Sequence, residues 1–179
     1  MSDTIRKFEN VLALETSTEH LVLGWLGVNP GEQRVLLGRA HAEVATRYLA
    51  TFLQDRSKPD LVAIGAGPGS YTGVRVAASL GLGLARAWDV PIVRVSTLAA
   101  MAASRSGLVA VSVNALRGNV YSAVFENLKP IVPIAKRSRE AFLELIPDGA
   151  IHLENAPISG LALAQLALLP EHQSVMLYL

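Results

Sequence analysis

The stretch AIGAGPGSYTGVRVAASLGLGLARAW, residues 63–88, is where residue types and spacing come nearest to chemistry. A glycine-rich turn between an apolar run and a helix-like run is the layout of a phosphate-binding loop. A dinucleotide fingerprint requires G-x-G-x-x-G; Gly65 and Gly67 match, but Ser70 holds the third position. A Walker loop requires Gly-Lys-Ser/Thr, and this stretch has no lysine. A nucleophile elbow requires glycine two residues either side of its serine, and around Ser70 those positions are Pro68 and Thr72. What remains is general: the first turn of any helix offers free N–H groups to an anion, although Pro68 removes one donor. On a structural reading, Gly67 and Gly69 permit the turn and Ser70 or Thr72 caps the helix. Gly67, Pro68, Gly69, Ser70, Thr72, Gly73 and Arg75 are the candidate loop residues.

Other chemistry is sparse. His20, His41, His152 and His172 are widely separated and cysteine is absent, so no metal set or disulfide is expected. Net charge is +1, with 16 basic and 15 acidic residues and no cluster of Lys or Arg, which argues against strong direct nucleic-acid binding. The first ten residues lack the apolar run of a signal peptide, and the longest charge-free stretch, residues 155–170, is too short to span a bilayer. A cytoplasmic protein without a membrane segment is expected. Hydrophobic residues make up 51% and charged residues 17%, which indicates a folded chain with apolar surface for a partner to cover.

The elements that must position the loop follow from periodicity. NVLALETS, HLVLGWLGV and QRVLLGRA read as three strands. Val44, Tyr48 and Phe52 recur every fourth residue beside Ala45 and Leu49, a helix over 42–54. DLVAIGA is a short buried strand, 72–88 a helix, PIVRVS a strand and TLAAMAASR a helix. The pattern then restarts. GLVAVSVNALRGNVYSAVFE gives two strands about a turn, followed by a strand at 131–136, a helix at 138–145, a strand at 150–154 and a helix at 158–169. The tail SVMLYL is a candidate last strand. This is an internal duplication, with a full lobe over 1–106 and a shorter lobe over 107–179.

Within the helix over 72–88, Gly73, Ala77, Gly81 and Ala85 form a small-residue stripe. Glycine inside a helix costs up to about 1 kcal/mol relative to alanine, so the stripe calls for close approach of another backbone. That neighbour is the sheet, the preceding helix, or a partner.

Four stretches carry a resemblance: VLALETST, AIGAGPGSYTGVRVAASLGLGLA, VPIVRVSTLAAMA and NALRGNVYSAVF, in that order, resemble the bacterial TsaB family, also called YeaZ. RAHAEVATRYL, with His41, is similar to the family's Arg-Glu-His stretch. The match covers most of residues 11–126. It implies an α/β, actin/Hsp70-like (ASKHA) fold of duplicated ribonuclease-H-like lobes, mixed sheets flanked by helices, with an abbreviated second lobe. It implies a non-catalytic subunit for N6-threonylcarbamoyladenosine at position 37 of ANN-decoding tRNAs. Such a subunit binds a TsaD-like transferase together with a TsaE-like ATPase, forms a homodimer when alone, and meets tRNA only indirectly. The resemblance places the interface on the first two helices, through His41, Ala45, Tyr48, Leu49 and Phe52, with Val74, Ala77, Ala78, Gly81 and Leu82. The isolated chain is expected to hold no cofactor, ATP or ADP entering only at a composite site with the partner. TsaD-like sequences carry two histidines where this chain has Thr97 and Met101, so a metal site is not expected. TsaB-like sequences show Asp, Arg and Glu where this chain has Asn114, Leu116 and Asn119. The alternative is an actin-fold ATPase or small-molecule kinase built on Glu15 and the loop 67–73.

Overall fold

A computed structural model describes residues 8–37 and 41–172. Two sheets form its frame. The first has five strands in the order β3-β2-β1-β4-β5 and the second four in the order β8-β7-β6-β9. In the first half these are β1 (Val11–Glu15), β2 (His20–Leu26), β3 (Gly31–Leu36), β4 (Leu61–Gly65) and β5 (Ile92–Val95), with α1 (His41–Leu53), α2 (Tyr71–Trp88) and α3 (Thr97–Ala102). The second half supplies β6 (Leu108–Asn114), β7 (Asn119–Glu126), β8 (Lys129–Ser138) and β9 (Ile151–Glu154), with α4 (Arg139–Leu143) and α5 (Gly160–Leu166). Tail residues 173–179, including the candidate last strand, lie outside the described residues.

Strand position follows from side-chain pattern. β1 and β4 are apolar and buried throughout but for Glu15, itself buried, as strands covered on both faces must be; β3, at the edge, alternates half-buried with exposed residues. In both sheets an antiparallel hairpin meets a parallel neighbour: β1 pairs antiparallel with β2 and parallel with β4, and β6 does the same with β7 and β9. Serine caps α2, α3, α4 and α5. Ser70, Ser96, Ser138 and Ser159 each accept a hydrogen bond from the backbone N–H three residues on, an arrangement that contributes about 1 kcal/mol per helix.

The layers run α1 and α2, first sheet, α3 and α5, second sheet, α4. Leu12, Leu14, Val62 and Ile64 face α1 and α2, while Val11, Ala13, Leu61 and Ala63 face the central helices. The final helix of each half packs toward the other half's sheet: α3 lies against β6 and β7, and α5 against β1, β2 and β3. One core, with Met101, Val111, Phe125 and Leu163 buried in it, therefore draws on both halves. The approach of α5 is backbone to backbone. A Cβ on Gly24 would fall 2.1 Å from the Gly160 carbonyl oxygen, and one on Gly160 would fall 2.4 Å from that of Leu23. Glu32 of β3 completes the seat, accepting from Ser159 Oγ at 2.6 Å and from Leu161 N at 3.1 Å.

The duplication also shows what the second half lacks. Between β4 and α3 stand α2 and β5, whereas β9 leads through residues 155–159 directly into α5. Without a counterpart of α2, the outer face of the second sheet is covered by the five-residue α4, whose Phe142 is buried there. Phe142 packs there with Ala110, Val120 and Val124, and polar pairs lie on the same face. Ser112 Oγ meets His152 Nε2 at 3.1 Å, and Arg137 donates to Ser122 Oγ at 2.9 Å.

Gly24→Ala is expected to destabilise the protein by about 1–3 kcal/mol, because the added methyl meets backbone that cannot step aside. Gly83→Ala, at an α2 position with nothing within 4 Å of the added Cβ, is expected to stabilise it by about 0.5–1 kcal/mol. Urea unfolding of the two variants measures both.

Candidate functional site

The glycine loop sits on the β1–β2 turn, and its glycines are spaced for that contact. A Cβ on Gly65 would lie 1.7 Å from Glu15 Oε2, one on Gly69 2.4 Å from the Ser17 carbonyl oxygen, and one on Gly73 1.8 Å from that of Thr16. No side chain fits at any of the three. Hydrogen bonds fix the seating: Ser70 N donates to Ser17 O at 2.7 Å, and Thr16 Oγ1 to Gly73 O at 2.6 Å. Gly67 takes φ +79 and is followed by a cis peptide to Pro68. Ser70, rather than Thr72, is the residue that caps α2.

At the centre of this joint is a buried carboxyl group. Glu15 is fully buried; its Oε2 accepts from Thr97 Oγ1 at 2.5 Å, and its Oε1 accepts from Ser17 N. The Thr97 hydroxyl is saturated. It has one proton, given to Glu15, and two lone pairs, met by Gly67 N at 3.1 Å and Ser17 Oγ at 3.1 Å. Thr97 N in turn donates to Gly67 O at 2.8 Å. Burial raises the Glu15 pKa above the ordinary carboxylate value, opposed by the hydrogen bonds from Thr97 and Ser17. Two residues with separate chemical expectations, Glu15 as the acid of the ATPase or kinase alternative and Thr97 at a position where TsaD-like sequences carry histidine, are thus bonded to each other. The sequence carries no signal of this pair, because it depends on the level at which the paired strands β1 and β4 end, at Glu15 and Gly65. Among the described residues, no three His, Cys, Asp or Glu side chains come together in a metal-holding group.

The helix stripe requires a correction. Gly73, Ala77, Gly81 and Ala85 are buried against this chain's own sheet, and a Cβ on Gly81 would lie 2.4 Å from Ile64 Cγ2. Val74 and Ala78 are buried beside them, as are Ala45, Leu49 and Phe52 of α1, because two helices crossing one sheet share its apolar face. These residues build the pair rather than present it. Tyr48 is half-buried; Leu82 is 48% exposed; the side chain of His41 lies outside the described residues. The outward face of α2 is different in kind. Tyr71, 54% exposed, and Thr72, Arg75, Val76, Ser79 and Leu80 line an open groove of about 310 Å³. Arg75 lies over the Tyr71 ring, 5.4 Å from its centroid, and donates to its hydroxyl at 3.2 Å. Thr72 and Arg75 are the two residues of the expected glycine-loop set that line this groove.

Two mixed sheets of matching strand order, each with its helices, define the duplicated actin/Hsp70-like class. The chain belongs to the TsaB (YeaZ) family. Residues 11–165 match the family model described as TsaD: tRNA N6-adenosine threonylcarbamoyltransferase. The chain is 30% identical over 151 residues to the tRNA threonylcarbamoyladenosine biosynthesis protein TsaB of Bacillus subtilis, covering 77% of this chain and 66% of that protein. It is 38% identical over 99 residues to the TsaB of Haemophilus influenzae, covering 51% of this chain and 41% of that protein. It therefore spans only part of each of these relatives. Among solved structures, YeaZ from Pseudomonas aeruginosa superposes with a TM-score of 0.72 at 23% identity, over 89% of this chain and 91% of that one. A second Pseudomonas aeruginosa structure, described as similar to peptidase YeaZ, gives 0.74 at 23% identity, over 93% and 94%. These two bear on the fold alone. Among the described residues no helix is long and apolar enough to cross a membrane.

A group whose folded-state pKa is raised stabilises the fold in its protonated form, and that stability is lost as pH rises through the raised value. Glu15→Gln keeps the shape and stays neutral at every pH, so its melting temperature relative to the wild type is expected to shift in the variant's favour as pH rises from 4.5 to 8. Melting curves across that range decide it; a shift independent of pH would show that Glu15 carries no such penalty.

Proposed function

We propose that this chain is a non-catalytic subunit for N6-threonylcarbamoyladenosine formation in tRNA, docking on a TsaD-like transferase that moves the threonylcarbamoyl group. The observation that carries this reading is the pair of helices α1 and α2. They are firmly seated on the sheet by small residues, with an outward face that holds Tyr71, Val76, Leu80 and Leu82 and an open groove. A rigid, partly apolar helix face is what a partner helix pair packs against. The names of the curated relatives supply the pathway. The docking residues are accordingly the outward ones, Tyr71, Arg75, Val76, Leu80 and Leu82, with Tyr48 at the α1 side. Ala77 and Gly81 act by letting α2 lie close to the sheet. A TsaE-like ATPase joins the pair, the same face closes a homodimer when the chain is alone, and tRNA is met through the partner.

The enclosure of Glu15 supports the absence of catalysis in this chain. A carboxylate that positions Mg²⁺ must reach the phosphates, and this one is turned inward with both oxygens engaged. Any ATP or ADP belongs to a composite site with the partner.

Leu82→Arg is expected to leave the unfolding free energy within about 0.5 kcal/mol of wild type, since it is a surface change, and to weaken binding to the TsaD-like partner by at least about tenfold. Calorimetric titration of the two purified proteins measures the affinity. Reconstituted threonylcarbamoyl transfer, run with and without this chain, tests the rest: equal rates in the two reactions would overturn the subunit role.

A further inference from the structure

The second hairpin forms a site that the docking face does not use. β6 ends at Asn114 and its parallel neighbour β9 at Glu154, so their carboxyl ends open on the same side of the sheet. Crevices beyond the carboxyl ends of parallel strands are where open α/β sheets take ligands. In the first sheet the equivalent place, beyond Glu15 and Gly65, is filled by the glycine loop packed on the β1–β2 turn. The second half has no such loop. A pocket of about 320 Å³ lies there, lined among others by Asn114, Arg117, Asn119, Arg139, Glu154 and Asn155.

Its polar groups have fixed orientations. A backbone N–H can only donate, so the side-chain atom it meets is the amide oxygen. Asn114 N donates to Asn155 Oδ1 at 2.9 Å, and Leu116 N donates to Asn114 Oδ1 at 2.8 Å. The NH2 groups of Asn114 and Asn155 are left with donors to spare. Asn119 commits its own NH2 to the carbonyls of Leu116 and Arg117. Arg139 and Glu154 are paired through both guanidinium nitrogens and cancel. The Arg117 guanidinium has no hydrogen bond or ion pair among the described residues, so the lining keeps one uncompensated positive charge. Leu116 and Arg117 hold φ +63 and +54 at the tip of the β6–β7 hairpin, where tight turns take left-handed residues.

We propose that this pocket binds a small oxyanion, a carboxylate or a phosphate monoester, through the Arg117 guanidinium and the NH2 groups of Asn114 and Asn155. Arg117 lines the pocket together with the two asparagines, and the Arg139–Glu154 pair lines it without adding net charge. A ligand with a hydroxyl group also finds an acceptor in Asn119 Oδ1.

The test is a titration of the intact, isotope-labelled protein followed by NMR, with inorganic phosphate in one arm, acetate in a second, and sodium chloride at matched ionic strength as reference. Saturable shifts of the Asn114 and Asn155 side-chain amides and of the Gly118 N–H are expected. Arg117→Ala, a change at an exposed and unpaired residue, is expected to weaken binding roughly tenfold while the remaining spectrum stays in place. A response to phosphate alone assigns a phosphate monoester, to acetate alone a carboxylate, and to both the shared oxyanion chemistry. The absence of saturable shifts with either probe, the same shifts with chloride, or unaltered affinity in Arg117→Ala overturns the site.

Discussion

Everything in the first half is referred to one buried hydrogen bond, that between Glu15 and Thr97. It joins the end of β1 to the start of α3 across 82 residues of sequence. The same threonine holds the glycine loop through Gly67. Burying a carboxyl group is costly, and the cost is offset only because each oxygen meets a fixed donor. The arrangement leaves no room for side chains at Gly65, Gly69 or Gly73, and it sets where α2 begins. The glycine richness of the loop is thus the imprint of a protein backbone lying beneath it.

From that joint the docking face follows. α2 starts where the loop delivers it, its small residues bring it down on Ile64, and α1 closes against it through Ala45, Leu49 and Phe52. The outward side chains then have one possible set of identities, read off the helix period. The second half repeats the hairpin and its parallel neighbour but omits the helix and strand that would cover them. Its outer face accordingly combines a small apolar patch of Ala110, Val120, Val124 and Phe142 with the polar pairs Ser112–His152 and Ser122–Arg137.

Much of this was legible in the residues. The succession of strands and helices in both halves, the repeat of that succession and the helix at 72–88 came from apolar period and turn residues, since burial on one or both faces leaves a direct trace in the sequence. The direction of the Gly73–Ala85 stripe was not legible. Small residues permit close approach to any backbone, and the sheet of the same chain and the helix of another satisfy that requirement equally well. The partnership of Glu15 with Thr97 was hidden for a different reason: it exists only once β1 and β4 are paired and α3 is brought over them. The free donors beside Arg117 were equally out of reach, because the orientation of an asparagine amide depends on which backbone group it meets.

The exchange of α3 and α5 between the sheets also governs how the chain can be made. The first sheet keeps one face bare until α5 arrives, and α5 is separated from β2 by most of the chain. During synthesis on the ribosome, the N-terminal half emerges with Val11, Ala13, Leu61 and Ala63 uncovered and must wait for residues beyond Gly160 before that face closes. Closure of that face is thereby postponed until α5 has emerged, and contacts of such long range form slowly once they can. The geometry that fuses two lobes into one body leaves the nascent first half with an apolar face that it cannot cover by itself.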